Sequence, residues 1–173
     1  MHLWSEYTAR RGSNEVASCI YNFVHTEYQI LQPGEGRTLV LWADRCCGQN
    51  NNLMMIEMLM KHQREQYFTI VEQKFFTTGH SFNDCDRNFA SMEKVLKKHT
   101  LIVPENTNFI IAKARVNNPF TFKWMQREIF LNFKPLTEFL LRPRTLQITK
   151  YTWFRMETQI PNTILSRESH HTV

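Results

Sequence analysis

The sequence predicts one α/β domain in which parallel strands are covered by helices, and three observations indicate this fold class. The chain has 173 residues, enough for one domain with its own core and too few for two ordinary domains. Hydrophobic residues make up 42% and aromatic residues 13%, so folding can bury enough apolar surface to offset chain entropy. Segments of strand and helix character alternate, as in sheets whose parallel strands are joined by right-handed crossovers.

The N-terminal part of the chain begins this alternation. HLWSEY has the character of a short strand, and the breaker Gly12 with the N-cap Ser13 precedes a predicted helix over residues 14–28. Apolar side chains recur along this helix at helical spacing, at Val16, Cys19, Ile20, Phe23 and Val24. The continuous apolar run TLVLWA then predicts a strand covered on both faces, and we expect residues 39–43 to be the central and most buried strand.

Two further pairs of strand and helix candidates complete the alternation. NLMMIEMLMKHQRE has the length of a helix, and we assign its methionines to core packing rather than to a soft binding surface. YFTIVEQKFFTT is predicted as a strand, and DCDRNFASMEKVLKKH as a helix with acidic residues at its start. Beyond them we predict a helix over residues 105–117 and strands near residues 120–125 and 145–158.

The basic charge of the protein lies in its C-terminal part. Residues 1–100 hold 11 Lys+Arg and 11 Asp+Glu, whereas residues 101–173 hold 10 and 5, which accounts for the net charge of +5. Such a segment can bind phosphate groups through counterion release, although a solvated surface without a binding role explains it equally well. The candidate nucleic-acid-binding residues are Lys113, Arg115, Lys123, Arg127, Arg142, Arg144 and Lys150, interleaved with Phe120, Phe122, Trp124 and Trp153.

The cysteines and the N-terminus indicate the cellular compartment. The cysteines Cys19, Cys46, Cys47 and Cys85 lack the paired spacing of a disulfide framework, which favours reduced thiols in an intracellular protein of nucleus or cytoplasm. No basic segment followed by an apolar run opens the chain, and no stretch approaches the ~18 apolar residues of a membrane span. We expect neither secretion nor membrane insertion.

A candidate metal site follows from the polar residues that end two predicted strands. Asp44 comes directly after the TLVLWA strand, and His80, Asp84 and Asp86 follow the next strand. Ligands of open α/β sheets bind at the carboxyl ends of the strands, where these carboxylates could hold Mg²⁺ or Mn²⁺ through oxygen ligands. Such ions assist phosphodiester cleavage. The amides that we expect to line this site belong to Gln49 and Asn50.

Plainer interpretations of these residues remain open. Asp84 or Asp86 can cap the helix that follows, His80 can be a hydrogen-bonded turn residue, and the asparagines can satisfy the loop backbone. A zinc site from Cys46, Cys47, His80 and Cys85 is chemically suitable. We consider zinc unfavourable, because adjacent cysteines lack the gap that lets one loop wrap a tetrahedral ion.

Four blocks of the sequence resemble a known family. MHLWSEYTARRGSNEVASC, LWADRCCGQNNN, KFFTTGHSFNDCDRNFASMEK and ARVNNPF occur in the same order as blocks of uncharacterised, transposon-derived animal proteins. Those proteins share a Ser-Asp-Asn-Cys-x-Gly-Gln-Asn block and resemble the RNase H-like domains of transposases and integrases. The resemblance covers about residues 1–133. It implies Asp44, His80, Asp84 and Asp86 as catalytic residues, with a carboxylate set for Mg²⁺ or Mn²⁺.

The sequence also departs from the family pattern. Ser5, Ala43, Arg45 and Cys47 replace residues that are usual in it, and Arg45 would compete with a metal ion for Asp44. The resemblance begins inside the family domain, so we expect a partial RNase H-like fold whose early strands are missing. Since the first of those strands carries a catalytic carboxylate in RNase H-like sheets, we expect this chain to be inactive in cleavage.

Two functional hypotheses result, and they leave open whether the chain is an enzyme. The first is a shortened RNase H-like domain related to metal-dependent nucleases and transposases. The alternative is a non-enzymatic module that binds DNA, RNA or a protein through the basic C-terminal part, with self-association through an open sheet edge. We divide the chain into an RNase H-like core remnant over residues 1–133, a basic extension over 134–157 and a polar, disordered tail over 158–173.

Overall fold

The structure is a computed structural model that describes residues 1–77, 83–99, 106–115, 117–138 and 147–169. It has the α/β class that the sequence predicts. Its helices are α1 (Ser13–Glu27), α2 (Leu53–Arg64), α3 (Asp84–Leu96) and α4 (Thr107–Ala114). Its strands are β1 (His2–Leu3), β2 (Thr38–Ala43), β3 (Ile70–Phe75), β4 (Lys123–Trp124), β5 (Trp153–Glu157) and β6 (Leu165–Arg167). Short 3-10 turns occur at Arg127–Ile129, Lys134–Glu138 and Ile148–Lys150.

The main sheet has four strands in the order β2-β3-β5-β6. β2 and β3 are parallel, as expected for strands joined through a helix, but β5 and β6 are antiparallel to their neighbours. The prediction of a wholly parallel sheet is therefore wrong beyond β2 and β3. β5 and β6 are joined by a connection too short for a crossover helix, so the two strands must pair antiparallel. β1 and β4 form a separate two-stranded parallel sheet.

The prediction that β2 is the central and most buried strand is wrong. β2 lies at the edge of the four-stranded sheet, and its side chains alternate between half-buried and exposed. Val40 is 42% and Trp42 is 51% exposed, whereas β3 is the more buried of the two strands. The apolar run suggested two covered faces, but on one face of β2 the apolar side chains of Val40 and Trp42 are exposed, and none of the helices in the described ranges covers them.

Helix α2 covers the other face of the sheet and positions most of the core. Its N-cap Asn52 accepts a hydrogen bond from the backbone N–H of Met55 at 3.1 Å, which satisfies a free donor of the first turn. Met55, Met58 and Met60 are buried, which confirms the assignment of the methionines to the core. They pack with Phe154 and other inward-facing side chains of the sheet, and α1 packs against α2.

Part of the C-terminal tail is a strand. Disorder was expected from residue 158, but Leu165–Arg167 form β6 and pair with β5. The expectation failed because the polar composition of this segment suits an edge strand with both sides near water as well as it suits a disordered tail. None of the helices in the described ranges has the length and apolar character needed to cross a bilayer.

Candidate functional site

Asp44 lies after β2, where the sequence analysis expected it, but its carboxylate organises the following loop. Asp44 is exposed, and its Oδ1 accepts hydrogen bonds from the backbone N–H of Cys46 at 3.1 Å and from the side-chain amide of Asn50 at 2.7 Å. Arg45 donates instead to the carbonyl of Thr149, so it does not pair with Asp44. The loop then leads to Asn52 at the start of α2. These contacts are explained if Asp44 is a polar residue that orders the loop after the strand.

Asp84 and Asp86 begin α3, where both are exposed. Asp86 accepts a hydrogen bond from the backbone N–H of Asn83 at 2.8 Å, and the Asn83 side chain accepts from the N–H groups of Cys85 and Asp86. This reciprocal pair is a capping box. Asp84 forms an ion pair with Arg87 one turn along the helix. The geometry supports the capping interpretation for both residues.

The predicted Mg²⁺ or Mn²⁺ site stays a prediction. Among the described residues, no hydrogen bond or ion pair connects Asp44 with Asp84 or Asp86, and His80 lies outside those residues. Of the two predicted lining residues, Asn50 donates to Asp44, whereas Gln49 donates to the carbonyl of Arg11 at 3.1 Å. The cysteines of the disfavoured zinc set, Cys46, Cys47 and Cys85, are exposed free thiols.

The predicted nucleic-acid-binding cations are spread over several elements. Lys113, Arg115, Lys123, Arg127 and Lys150 are exposed, and Arg142 and Arg144 lie outside the described residues. Arg115 lies over the ring of Phe120 at 5.6 Å, Lys123 donates to Asn22, and Lys150 pairs with Glu168. They therefore do not form one row of cations.

A more ordered arrangement occurs on the solvent-facing side of the four-stranded sheet, which we call the open face. The strand register aligns Trp42 of β2, Lys74 of β3, Trp153 of β5 and Arg167 of β6 in one row across the sheet. Lys74 lies 5.8 Å from the ring centre of Trp42, and Arg167 lies 4.8 Å from that of Trp153. Aromatic and cationic side chains thus alternate over all four strands.

The neighbouring row of the open face holds a charge network. It consists of Val40, Glu72, Arg155 and Leu165 on the same four strands. Glu72 accepts from Lys74 and from Arg155 at 2.8 Å each, and Arg155 also donates to Glu157 at 2.5 Å. Burial alone would raise the pKa of Glu72, but the hydrogen bonds from Lys74 and Arg155 outweigh it, so that its pKa is lowered. Glu72 is therefore ionised at neutral pH.

The two rows border a shallow depression of about 540 Å³. Lys74 and Arg155 already pair with carboxylates, whereas Arg167 has no ion pair with any described residue. Trp153 was predicted from the sequence to accompany the binding cations, but Trp42, Lys74, Arg155 and Arg167 were not predicted to share one surface with it. Their only signal in the sequence is the alternation within each strand, because the pairing of distant strands brings them together.

A comparison with protein-family models places the chain in a family. The model of a family described as a domain of unknown function, DUF7869, matches residues 2–169. This protein belongs to that family. The match covers nearly the whole chain, including both rows of the open face and the loop after Asp44. No curated protein and no solved structure matches the sequence.

Proposed function

We propose that this member of the family is a non-enzymatic module that binds single-stranded nucleic acid on the open face. The observation that carries the proposal is the row Trp42, Lys74, Trp153 and Arg167 across four strands. We also propose that the fold descends from RNase H-like domains of transposable elements. The parallel pair β2 and β3, joined through α2 and followed by Asp44 at the first strand's end, supports that origin.

The chemistry of the row fits an unpaired nucleic-acid strand. Indole rings offer flat surfaces on which unpaired bases stack, and cations between them contact the backbone phosphates. Neighbouring strands lie about 4.8 Å apart, so the two indoles are separated by roughly 10 Å, with Lys74 between them. A duplex hides its base faces, so it can use the cations of this surface but not its rings.

The state of the candidate catalytic residues supports binding without cleavage. Asp44 uses Oδ1 to hold Cys46 and Asn50, and Asp86 caps α3. These contacts give both carboxylates a structural role that needs no metal ion. We therefore expect binding without phosphodiester hydrolysis in Mg²⁺ or Mn²⁺.

The test is fluorescence anisotropy of the whole chain with labelled oligo(dT), oligo(U) and a duplex of equal length. We expect the single strands to bind more tightly than the duplex. The logarithm of affinity should fall with the logarithm of salt concentration with a slope of about −1.4, since Lys74 and Arg167 of the row each contribute about −0.7 on a single strand. A slope near zero would exclude phosphate contacts.

Two substitutions separate stacking from charge. Trp42→Ala should weaken binding by about 1–3 kcal/mol, the usual contribution of one stacked base. Arg167→Ala should reduce the magnitude of the salt slope by about 0.7. The matched controls are Tyr7→Ala, which removes an aromatic ring that is 98% exposed outside the open face, and Arg127→Ala, which removes an exposed cation elsewhere. Both controls should bind as the unmodified chain does.

Two outcomes would contradict the proposal. If Arg115→Ala or Lys113→Ala lowered affinity while Trp42→Ala did not, the binding surface would be at α4 instead of on the open face. If labelled DNA or RNA were cleaved in Mn²⁺ and Asp44→Asn abolished the cleavage, the module would be a nuclease. Retention of cleavage in Asp44→Asn would instead indicate a contaminating enzyme.

A further inference from the structure

The ends of helices α1 and α2 bring together a second group of polar side chains, on the side of the sheet opposite to the open face. His25 lies in the last turn of α1, His62 in the last turn of α2, and Glu65 caps α2. Each offers one ligand atom, and the three atoms all lie within 4.8 Å of one another. This group shares no residue with the open face or with the loop after Asp44.

The distances within the group match the geometry of a small metal site. His25 Nε2 lies 3.3 Å from Glu65 Oε2, although no hydrogen bond joins them. Ligand atoms around a tetrahedral zinc ion with bonds of about 2.0–2.1 Å are separated by about 3.3 Å. Full ligation therefore requires the widest separation to shorten from at most 4.8 Å to that value.

His62 supplies an independent observation that points to a ligand. Its side chain is fully buried, and neither ring nitrogen has a hydrogen-bond partner among the described residues. A neutral imidazole offers the lone pair of one ring nitrogen to a metal ion. An unpaired polar group in a core is costly, and a metal ion would satisfy it.

We propose that His25, His62 and Glu65 bind a zinc ion, with the fourth position open to water. Two imidazoles and one carboxylate form a ligand set that zinc uses in sites with an open position. Imidazole ligands favour zinc over Mg²⁺ or Ca²⁺, which prefer oxygen ligands. Entry is possible because the side chains of His25 and Glu65 are 31% and 27% exposed.

The surrounding side chains orient the ligands. The hydroxyl of Tyr67 is 3.0 Å from His25 Nδ1, so this nitrogen is engaged and Nε2 is directed to the ion. The ring of Tyr21 stacks on that of His62 with centres 5.1 Å apart. Lys61 pairs with Glu65 Oε1, which leaves Oε2 for the ion but places a positive charge beside it. Lys61→Gln should therefore tighten zinc binding.

The site would connect two helices that otherwise meet through side-chain packing and the hydrogen bond from the Tyr21 hydroxyl to Glu65. Because the ligands come from α1 and from the end of α2, a bound ion adds a link that exists only in the folded chain. Zinc should therefore raise the thermal unfolding midpoint. This stabilisation requires only the three protein ligands and does not require any reaction at the fourth, water-accessible position.

The experiment is calorimetric titration of the chelator-treated whole chain with Zn²⁺ at neutral pH, in a reductant that does not bind metal. One ion should bind per chain, and Co²⁺ should give the visible bands of a four-coordinate site without sulfur-to-metal charge transfer. His25→Gln and Glu65→Gln change half-exposed side chains, so they should retain the circular dichroism of the fold. Each variant should lose more zinc affinity than the about 10–100-fold that is lost when a residue hydrogen-bonded to a metal ligand is replaced.

Controls distinguish this site from adventitious binding. Tyr67→Phe should cost about 10–100-fold as a positioning residue, whereas His99→Gln removes a histidine that follows α3 and should bind zinc normally. The Cys46→Ser/Cys47→Ser double variant should also bind normally. The proposal is wrong if the unmodified chain binds no zinc, if binding survives in His25→Gln, or if it is lost in the double cysteine variant.

Discussion

The two sides of the four-stranded sheet use the same strands in opposite ways, and adjacent residues of β3 make the contrast plain. Gln73 points to the side covered by α2, is 2% exposed, and donates from its amide to the carbonyls of Leu41 and Lys74 at 3.5 and 3.3 Å. Glu72 points to the open face and accepts from two cations. Gln73 is buried as a neutral amide that donates to two carbonyls, whereas Glu72 keeps its charge because two cations pair with it.

The largest expected difference in stability is between two variants that each place an aspartate on one side of the sheet. Val71→Asp should abolish folding, because Val71 is fully buried and an unpaired buried charge costs several kcal/mol, on the order of the stability of the domain. Val40→Asp should leave the fold intact, since Val40 is 42% exposed at the sheet edge. Circular dichroism and urea unfolding compare the two. Unfolding of both variants would mean that the open face is covered in solution.

Truncation of one large apolar side chain on each side should give the next largest difference. Phe154→Ala removes a buried ring from the core and should lower the free energy of unfolding by about 3–5 kcal/mol. Leu165→Ala on the open face, where Leu165 is 37% exposed, should change it by less than about 1 kcal/mol. Urea midpoints at constant m-value measure both. Equal losses would contradict the distinction between the two sides.

The same contrast explains which features of the fold could be predicted from sequence. Helical spacing in α1 and the composition of α2 are local patterns, so both helices and the strand character of β2 were predicted correctly. The position of β2 was not, because Val40 and Trp42 are apolar whether or not a helix covers them. The pairing of β3 with β5 joins residues more than 80 positions apart, such as Glu72 and Arg155, and no local pattern encodes it.

For the candidate sites too, features set by local sequence could be predicted, and features set by contacts between distant segments could not. Asp44 could be located at the end of a strand from the apolar run before it, yet the role of its carboxylate in organising the loop depends on how the loop folds around Asn50. The zinc ligands were missed because His62 lies within a methionine-rich helix assigned to the core. The His62-x-x-Glu65 spacing at the end of α2 is compatible with two metal ligands, but a histidine and a glutamate at this spacing are common in helices without a metal. Only the packing of α1 against α2 brings His25 close to them.

Acid should destabilise the covered side through His62. Its pKa of about 4 in the fold, against an ordinary value of 6.5, means that the unfolded chain binds more protons between these pH values. Stability is therefore complete above about pH 6.5 and falls as pH decreases toward 4, by up to about 3 kcal/mol at 1.36 kcal/mol per pH unit. His62→Phe should lose this part of the pH dependence in urea unfolding at several pH values. An unchanged dependence would show that His62 is hydrated.

A smaller effect on stability than that of His62, about 1 kcal/mol, is expected from Glu72→Gln on the open face, because its ion pairs with Lys74 and Arg155 are partly screened by water. Since the pKa of Glu72 is lowered, its contribution is present above its ordinary pKa and is lost as pH falls through the lowered value. The loss caused by Glu72→Gln should therefore disappear in acid.

The same substitution should improve binding while it lowers stability. Removal of the Glu72 charge frees Lys74 and Arg155 from a carboxylate and makes the open face more positive, so oligo(dT) should bind more tightly and with a steeper salt dependence. Glu93→Gln, which removes an exposed charge on α3, is the matched control and should change neither property. Anisotropy at several salt concentrations measures the affinity, and urea unfolding measures the stability. Weaker binding by Glu72→Gln would mean that the carboxylate orients the two cations for the phosphates, so that order on the open face matters more than its net charge.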